Sequence, residues 1–141
     1  MKVSIVQAGI GPMTLSENRE VIFSGMEEAM TSNPDVIVLP EMWNSGFFPE
    51  KFTDQDDYKE EELQEALSDF AECHNVNLVA GSITVRDGEH RANRSFIYDR
   101  EGELLGTYDK AHLFPVGEEK NFFKPGDHNL FFTLDKVDCS I

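Results

Sequence analysis

The chain has 141 residues, and 27 acidic against 12 basic side chains leave a net charge of −15 at pH 7. That length allows one domain at most, or part of a larger one, while 40% hydrophobic residues with 11 Phe suffice for a core and exclude intrinsic disorder. The surplus of carboxylates argues against nucleic acid or an anionic membrane as partner, because phosphates repel such a surface.

Lys2 to Ala8 is rich in β-branched residues and predicts a strand. Thr14-Leu15-Ser16-Glu17 has the T-x-x-E form of a capping box, ahead of a helical stripe at Val21, Ile22, Met26, Ala29 and Met30. Asn33-Pro34 ends that helix, and Val36-Ile37-Val38-Leu39 is a short apolar run expected of a strand covered on both faces. A β-α-β opening favours parallel pairing through a right-handed crossover. Trp43 to Lys59 shows no sustained period and predicts a long loop, after which Leu63, Ala66, Leu67, Phe70 and Ala71 repeat at helical spacing.

Asn77 to Val85 predicts a third strand, Ser95 to Tyr98 a fourth and Leu104 to Tyr108 a fifth, joined by turns at Arg86-Asp87-Gly88-Glu89 and Arg100-Glu101-Gly102-Glu103. Helices alternating with strands, followed by hairpins, imply an α/β domain with a mixed sheet. Leu130 to Leu134 and Val137 to Ile141 also predict strands. A last strand without a polar tail would leave an apolar edge in water, so the 141 residues are expected to be the N-terminal part of a longer domain.

Several chemistries find no support. Cys73 and Cys139 form neither a disulfide framework nor a C-x-x-C zinc pattern, and His74, His90, His112 and His128 lack H-E-x-x-H spacing. Asp54, Asp56 and Asp57 resemble the start of a calcium loop, but Lys59 stands where Gly is needed, so a solvated approach to the second helix is expected. Gly9-Ile10-Gly11 is a partial dinucleotide fingerprint with Thr14 at the third glycine position. A plain β-to-α turn is the expectation there. The Lys2–Gln7 start is too short and polar for a secretory segment, and no apolar run approaches the ~20 residues of a membrane span. A reduced, cytoplasmic compartment follows as the expectation.

Glu41 carries more information. It sits at the carboxyl end of the Val36–Leu39 strand, the edge at which open α/β sheets bind ligands. Lys110, within Tyr108-Asp109-Lys110-Ala111-His112-Leu113-Phe114, likewise follows a strand, and a cation there can stabilise negative charge developing on a substrate oxygen. Glu118-Glu119 follows in a loop before Pro125-Gly126. These residues make an acid–base and electrostatic set without a nucleophile.

At these positions the sequence resembles the nitrilase superfamily, the carbon–nitrogen hydrolases. The resemblance runs through Val3–Gln7, Asn18, Val38-Leu39-Pro40-Glu41-Met42-Trp43 with Gly46-Phe47, Val79–Ile83, Asn93, Asp99 with Gly102, Tyr108–Phe114, Gly117-Glu118-Glu119 and Pro125-Gly126. The wording is closest to the omega-amidase-like branch. The resemblance implies the N-terminal half of a four-layer α-β-β-α sandwich and a Glu–Lys–Cys mechanism, with Glu41 as general base, Lys110 as the catalytic lysine and Glu119, rather than Glu118, as the supporting glutamate. The cysteine is expected a few residues past Ile141. Cys139 lies too early for it, and both Cys73 and Cys139 are expected in the core. Trp43 and Phe47 are expected on an apolar wall of the substrate site.

The implied reaction is hydrolysis of a small carboxylate-bearing amide with release of ammonia, needing no metal or organic cofactor, in a protein that forms a dimer when full length. The competing expectation is a non-catalytic remnant that binds a ligand or partner. A nucleotide-binding half-domain is a third.

Overall fold

The computed structural model describes residues 1–11, 13–46, 60–115 and 119–141. Its elements in chain order are β1 (Val3–Ile5), α1 (Leu15–Met30), β2 (Val36–Val38), α2 (Glu60–His74), β3 (Asn77–Val79), β4 (Ile83–Asp87), β5 (His90–Tyr98), β6 (Leu104–Asp109), α3 (Glu119–Phe122), β7 (Phe131–Leu134) and β8 (Val137–Ser140). β1, β2 and β3 pair in parallel, β3 and β4 lie along one side of β5, and β6 lies along the other; all pairings to β5 are antiparallel. The sheet is mixed, as the element order implies. β7 and β8 form a separate antiparallel pair.

Strand alternation divides the core in two. Ile37, Leu78 and Phe96 face α1 and α2, meeting Ile22, Met26, Leu67 and Phe70. Their neighbours Val36, Val79 and Ile97 face the other way and pack under Leu130, Leu134 and Cys139 of the β7–β8 region. The described residues therefore stack as helices, sheet and hairpin, three of the four layers expected.

α1 begins where its capping box requires. The Glu17 N–H donates to Thr14 Oγ1 at 3.2 Å, and the Thr14 N–H donates to Glu17 Oε2 at 2.8 Å. The Thr14 N–H donation holds the Glu17 carboxyl below its usual range. That carboxylate occupies the helix N-terminus, where a dinucleotide's pyrophosphate would have to sit. Gly9-Ile10-Gly11 is thus a plain β-to-α connection.

Four expectations are corrected. The stretch Asn77 to Val85 is two strands, because Gly81 adopts φ +53 and its backbone turns against Pro40. β5 starts at His90, five residues before Ser95, since His90 to Arg94 pair residue by residue with β4. Val21 is exposed, and the buried stripe of α1 runs through Asn18, Ile22 and Met26. Cys73 is exposed rather than in the core; two residues past Ala71, it lies about 200° round the helix from that buried position.

One polar knot ties the two sheets together at the end away from Glu41. The Arg100 guanidinium donates to Asp135 Oδ1 at 2.9 Å in the β7–β8 turn, to Asp35 Oδ1 at 2.9 Å before β2, and to the Asn75 carbonyl at 2.6 Å. Asn77 Nδ2 adds a bond to Asp135 Oδ2 at 3.0 Å. Hydrogen bonding from Arg100 holds the Asp135 carboxyl below its usual range, and the Lys2 main chain does the same for Asp35. Carboxylates of lowered pKa contribute stability above the usual range and lose it as pH falls through the lowered values. Arg100→Met is expected to lower the melting temperature by on the order of 5 °C at pH 7. The difference from the parent shrinks below about pH 4, which thermal melts at pH 7 and pH 3 would check.

Candidate active site

Glu41 stands two residues beyond the Val36–Leu39 apolar run that carries β2. The chain then turns through Met42, which holds φ +48, and Gly46, at φ +63. A non-glycine residue in the left-handed region costs of order 1–2 kcal/mol, so this turn must be held by its surroundings. The holding contacts come from the β3–β4 break. Met42 N–H donates to Ser82 Oγ at 3.0 Å, Trp43 N–H to the Ser82 carbonyl at 3.2 Å, and Ser82 N–H to the Pro40 carbonyl at 3.3 Å. Asn44 adds a two-way bond to Thr84, and Asn18 Nδ2 donates to the Asn44 carbonyl at 2.9 Å.

Lys110 follows β6. Its N–H donates to the Asn93 carbonyl at 2.9 Å, and its own carbonyl accepts from Gly126 N–H at 3.1 Å. A Cβ on Gly126 would lie 2.2 Å from the Asp109 carbonyl oxygen, so only glycine allows that approach. On the opposite face of the same strands, Arg94 grips Asp109 with two bonds of 2.6 and 2.9 Å, a planar fork that fixes the β5–β6 register beside the site.

These two segments bring Glu41 and Lys110 together. Lys110 Nζ lies 2.7 Å from Glu41 Oε1 and 3.1 Å from Glu119 Oε1. Glu119 Oε2 accepts from the Phe114 N–H at 2.6 Å, so that carboxylate fixes the ammonium and the following loop at once. The side chain of Glu119 is 9% exposed, that of Lys110 26% and that of Glu41 43%. Exposure thus rises from Glu119 through Lys110 to Glu41, which faces the cleft. Burial alone would lower the Lys110 pKa, but hydrogen bonds and charge from Glu41 and Glu119 outweigh it and hold the ammonium above its usual value.

A cleft of about 290 Å³ opens over Glu41 and Lys110, lined also by Val38, Val79, Asn93, Ser95, Tyr108 and Ile141, with Glu119 behind Lys110. Its chemistry is that of a base beside a fixed cation, on an apolar floor. Neither cysteine lines it.

The sequence-predicted residues fall in three groups. Glu41, Lys110 and Glu119 converge, and Glu119 is the glutamate in contact with Lys110. Trp43 does not line this cleft: it is fully buried on the helix side, its indole N–H donating to the Ala80 carbonyl at 3.2 Å. Trp43 packs in the helix-side core instead of on the wall of this cleft, because the left-handed turn at Met42 redirects the chain and its indole is held by the Ala80 carbonyl. Phe47 lies outside the described residues, as do Glu118 and the Asp54–Lys59 stretch.

Asn93 joins the site with a role that sequence reasoning missed. Its Nδ2 donates to Glu41 Oε1 at 2.9 Å. The available signal was an amide side chain at an inward position of a strand otherwise reading Ala92, Phe96 and Ile97.

Residues 2–137 match the family described as carbon–nitrogen hydrolase. The chain is 34% identical over 128 residues to a hydrolase in the agr operon of Staphylococcus aureus, covering 91% of this chain and 49% of that one. It is 34% identical over 113 residues to the 2-oxoglutaramate amidase of Bacillus subtilis, covering 80% and 44%. The chain spans about half the length of the curated relatives it matches. Its fold superposes with a TM-score of 0.84 on an amidase from Nesterenkonia sp. AN1, solved as a cysteine-to-alanine variant in complex with butyramide, at 20% identity and covering 99% of this chain and 54% of that one. With the family match extending over residues 2–137, Glu41, Lys110 and Glu119 among them, the chain belongs to the carbon–nitrogen hydrolases.

Proposed function

We propose that residues 1–141 form the base-bearing half of a cytoplasmic amidase, which hydrolyses the carbon–nitrogen bond of a small carboxylate-bearing amide and releases ammonia. The observation that carries this reading is the Lys110 ammonium bridging Glu119 and Glu41, with Lys110 and Glu41 lining one cleft. The nucleophile is a cysteine a few residues beyond Ile141. In support, Ile141 lines the cleft, and its N–H and carbonyl both pair with Leu130. Each further residue of an extended strand advances about 3.3 Å, so the next few can reach Glu41.

The chemistry follows from the residue types. The thiol gives its proton to Glu41 and the thiolate attacks the amide carbonyl. Lys110 stabilises the oxyanion of the tetrahedral intermediate, and the Glu41 carboxylic acid returns the proton to the departing nitrogen as ammonia leaves. Glu41 then takes a proton from water, whose oxygen cleaves the thioester and regenerates the thiol. No metal or organic cofactor enters, and the whole protein acts as a homodimer.

The cleft volume suits a substrate of a few heavy atoms, in keeping with butyramide in the Nesterenkonia amidase. The relative named a 2-oxoglutaramate amidase supports a substrate bearing a carboxylate. Phe47 is proposed on its apolar wall.

The test is ammonia release across a panel of small amides, comparing residues 1–141 alone with the chain extended through the missing cysteine. Turnover is expected only from the extended protein. There Glu41→Gln lowers kcat by ~10²–10⁴-fold, with an unchanged melting temperature. The second reading is a ligand-binding remnant without catalysis, favoured by the absence of either cysteine from the cleft. A stop codon directly after Ile141, together with saturable amide binding and no turnover, would establish it instead.

A further inference from the structure

We infer that Asn93 is a positioning residue that decides which oxygen of Glu41 carries the proton. The inference rests on the reading of Glu41 as general base. Glu41 Oε1 accepts from Lys110 Nζ at 2.7 Å and from Asn93 Nδ2 at 2.9 Å. A carboxylate offers about four lone-pair sites over two oxygens, so these two donors fill Oε1. Among the described residues, Oε2 accepts no hydrogen bond. It is the oxygen left to take the nucleophile's proton and later that of water.

Lys110 alone cannot make this distinction. An ammonium is a compact charge with three rotatable donors, and it can follow either carboxylate oxygen as Glu41 turns about its last bond. The amide of Asn93 is planar and the residue is 3% exposed. Its orientation is set chemically, because an ionised carboxylate only accepts and the nitrogen must face it.

Asn93 is itself held from both edges of β5. It pairs with Thr84 on β4, and its carbonyl takes the Lys110 N–H. One residue therefore touches the base through its side chain and the lysine through its main chain. The charged groups around it are Glu41 from the turn after β2, Lys110 after β6, and Glu119 behind Lys110. The Arg94–Asp109 pair lies on the opposite face.

The experiment uses the protein that includes the nucleophile. Asn93→Ala is expected to lower kcat by about 10–100-fold, as for a base displaced by a fraction of an ångström to 1 Å. KM is expected to change less than about threefold, since Asn93 lines the cleft with little exposed surface and its amide is already given to Glu41. Asn93→Asp separates positioning from packing. Its protonated acid can donate the same bond, whereas its ionised form repels Glu41. Its kcat relative to Asn93→Ala is expected to rise as pH falls into the carboxylic-acid range, a signature that lost packing does not produce. An unchanged kcat in Asn93→Ala, a loss confined to KM, or an Asp variant that tracks the Ala variant at every pH overturns the inference.

The hydrogen bond has its own readout. The Asn93 side-chain amide protons are expected to move upfield in nitrogen-15 spectra on Glu41→Ala, and unmoved resonances count against the inference. Should the parent hydrolyse no amide at all, the amidase reading fails, while the amide resonances still decide whether Asn93 holds Glu41.

Discussion

Lys110→Ala, in the protein that includes the nucleophile, is expected to lower kcat by ~10³-fold or more. One oxyanion donor alone is worth ~10²–10³, and Lys110 also holds Glu41 Oε1 at 2.7 Å. The same change costs stability. It leaves Glu119, 9% exposed, with a carboxylate whose remaining partner among the described residues is the Phe114 N–H. Removing one partner of a buried pair costs about 3–5 kcal/mol, and the partial exposure of Lys110 places this case near 3 or below. Two variants separate the effects. Lys110→Ala combined with Glu119→Gln removes the orphaned charge and is expected to regain most of the stability in urea melts while remaining inactive.

The sign of the pH dependence is also set. The Lys110 pKa is raised on folding, so its stabilising contribution is complete below the usual lysine pKa of about 10.4 and is lost as pH rises through the higher folded value. The stability gap between parent and Lys110→Ala is therefore constant on this account from neutral pH to about pH 10 and closes only above it. Retained ammonia release by Lys110→Ala would remove the lysine from the mechanism.

Gly81→Ala is expected to be the most disruptive single substitution in the fold. At φ +53, a Cβ there would stand 2.0 Å from the Pro40 carbonyl oxygen and 2.6 Å from that of Leu39. Both are main-chain atoms, and neither can swing aside as a side chain would. The conformational cost is about 1–2 kcal/mol, and displacing the strand end brings the total above about 3 kcal/mol. Moving that segment breaks the Met42–Ser82 bond and carries Glu41 away from Lys110, so activity is lost with stability.

Gly88→Ala is the control. It has a similar φ of +64, but nothing lies within 4 Å of its added Cβ. It is expected to cost only the conformational part, about 1–2 kcal/mol, with turnover intact. Equal destabilisation by the two substitutions would show that crowding against Pro40 contributes nothing.

The local elements were legible because each rests on short-range chemistry. Thr14 and Glu17 cap α1 through their own side chains, and Asn33-Pro34 stops it within three residues of Met30. Val36 and Ile37 are buried on opposite faces of β2, as an uninterrupted apolar strand requires, and Val38 is half-buried. Where burial depends on which neighbour arrives, periodicity misleads. Val21 and Asn18 both border the α1 stripe, and the sequence favours valine. The structure buries Asn18 instead, because the Asn44 carbonyl is there to receive its amide.

Within the site, the motif wording around Glu41 and Lys110 marked two residues 69 positions apart, and the resemblance named Glu119. What the linear order could not convey is the fold-back at Gly81, which divides one apparent strand and presses it on Pro40. Nor could it convey that Trp43, two residues after Glu41, turns into the helix-side core.

Composition, caps and apolar runs determine by themselves an α/β chain with a mixed sheet and a carboxylate and an ammonium group at strand ends, because each depends on neighbours within a turn or a strand. The meeting of Glu41, Lys110, Glu119 and Asn93 was settled by tertiary structure alone. Distances of 2.7–3.1 Å between these side chains arise from strand pairing and backbone packing between segments remote in sequence, and no local pattern encodes them.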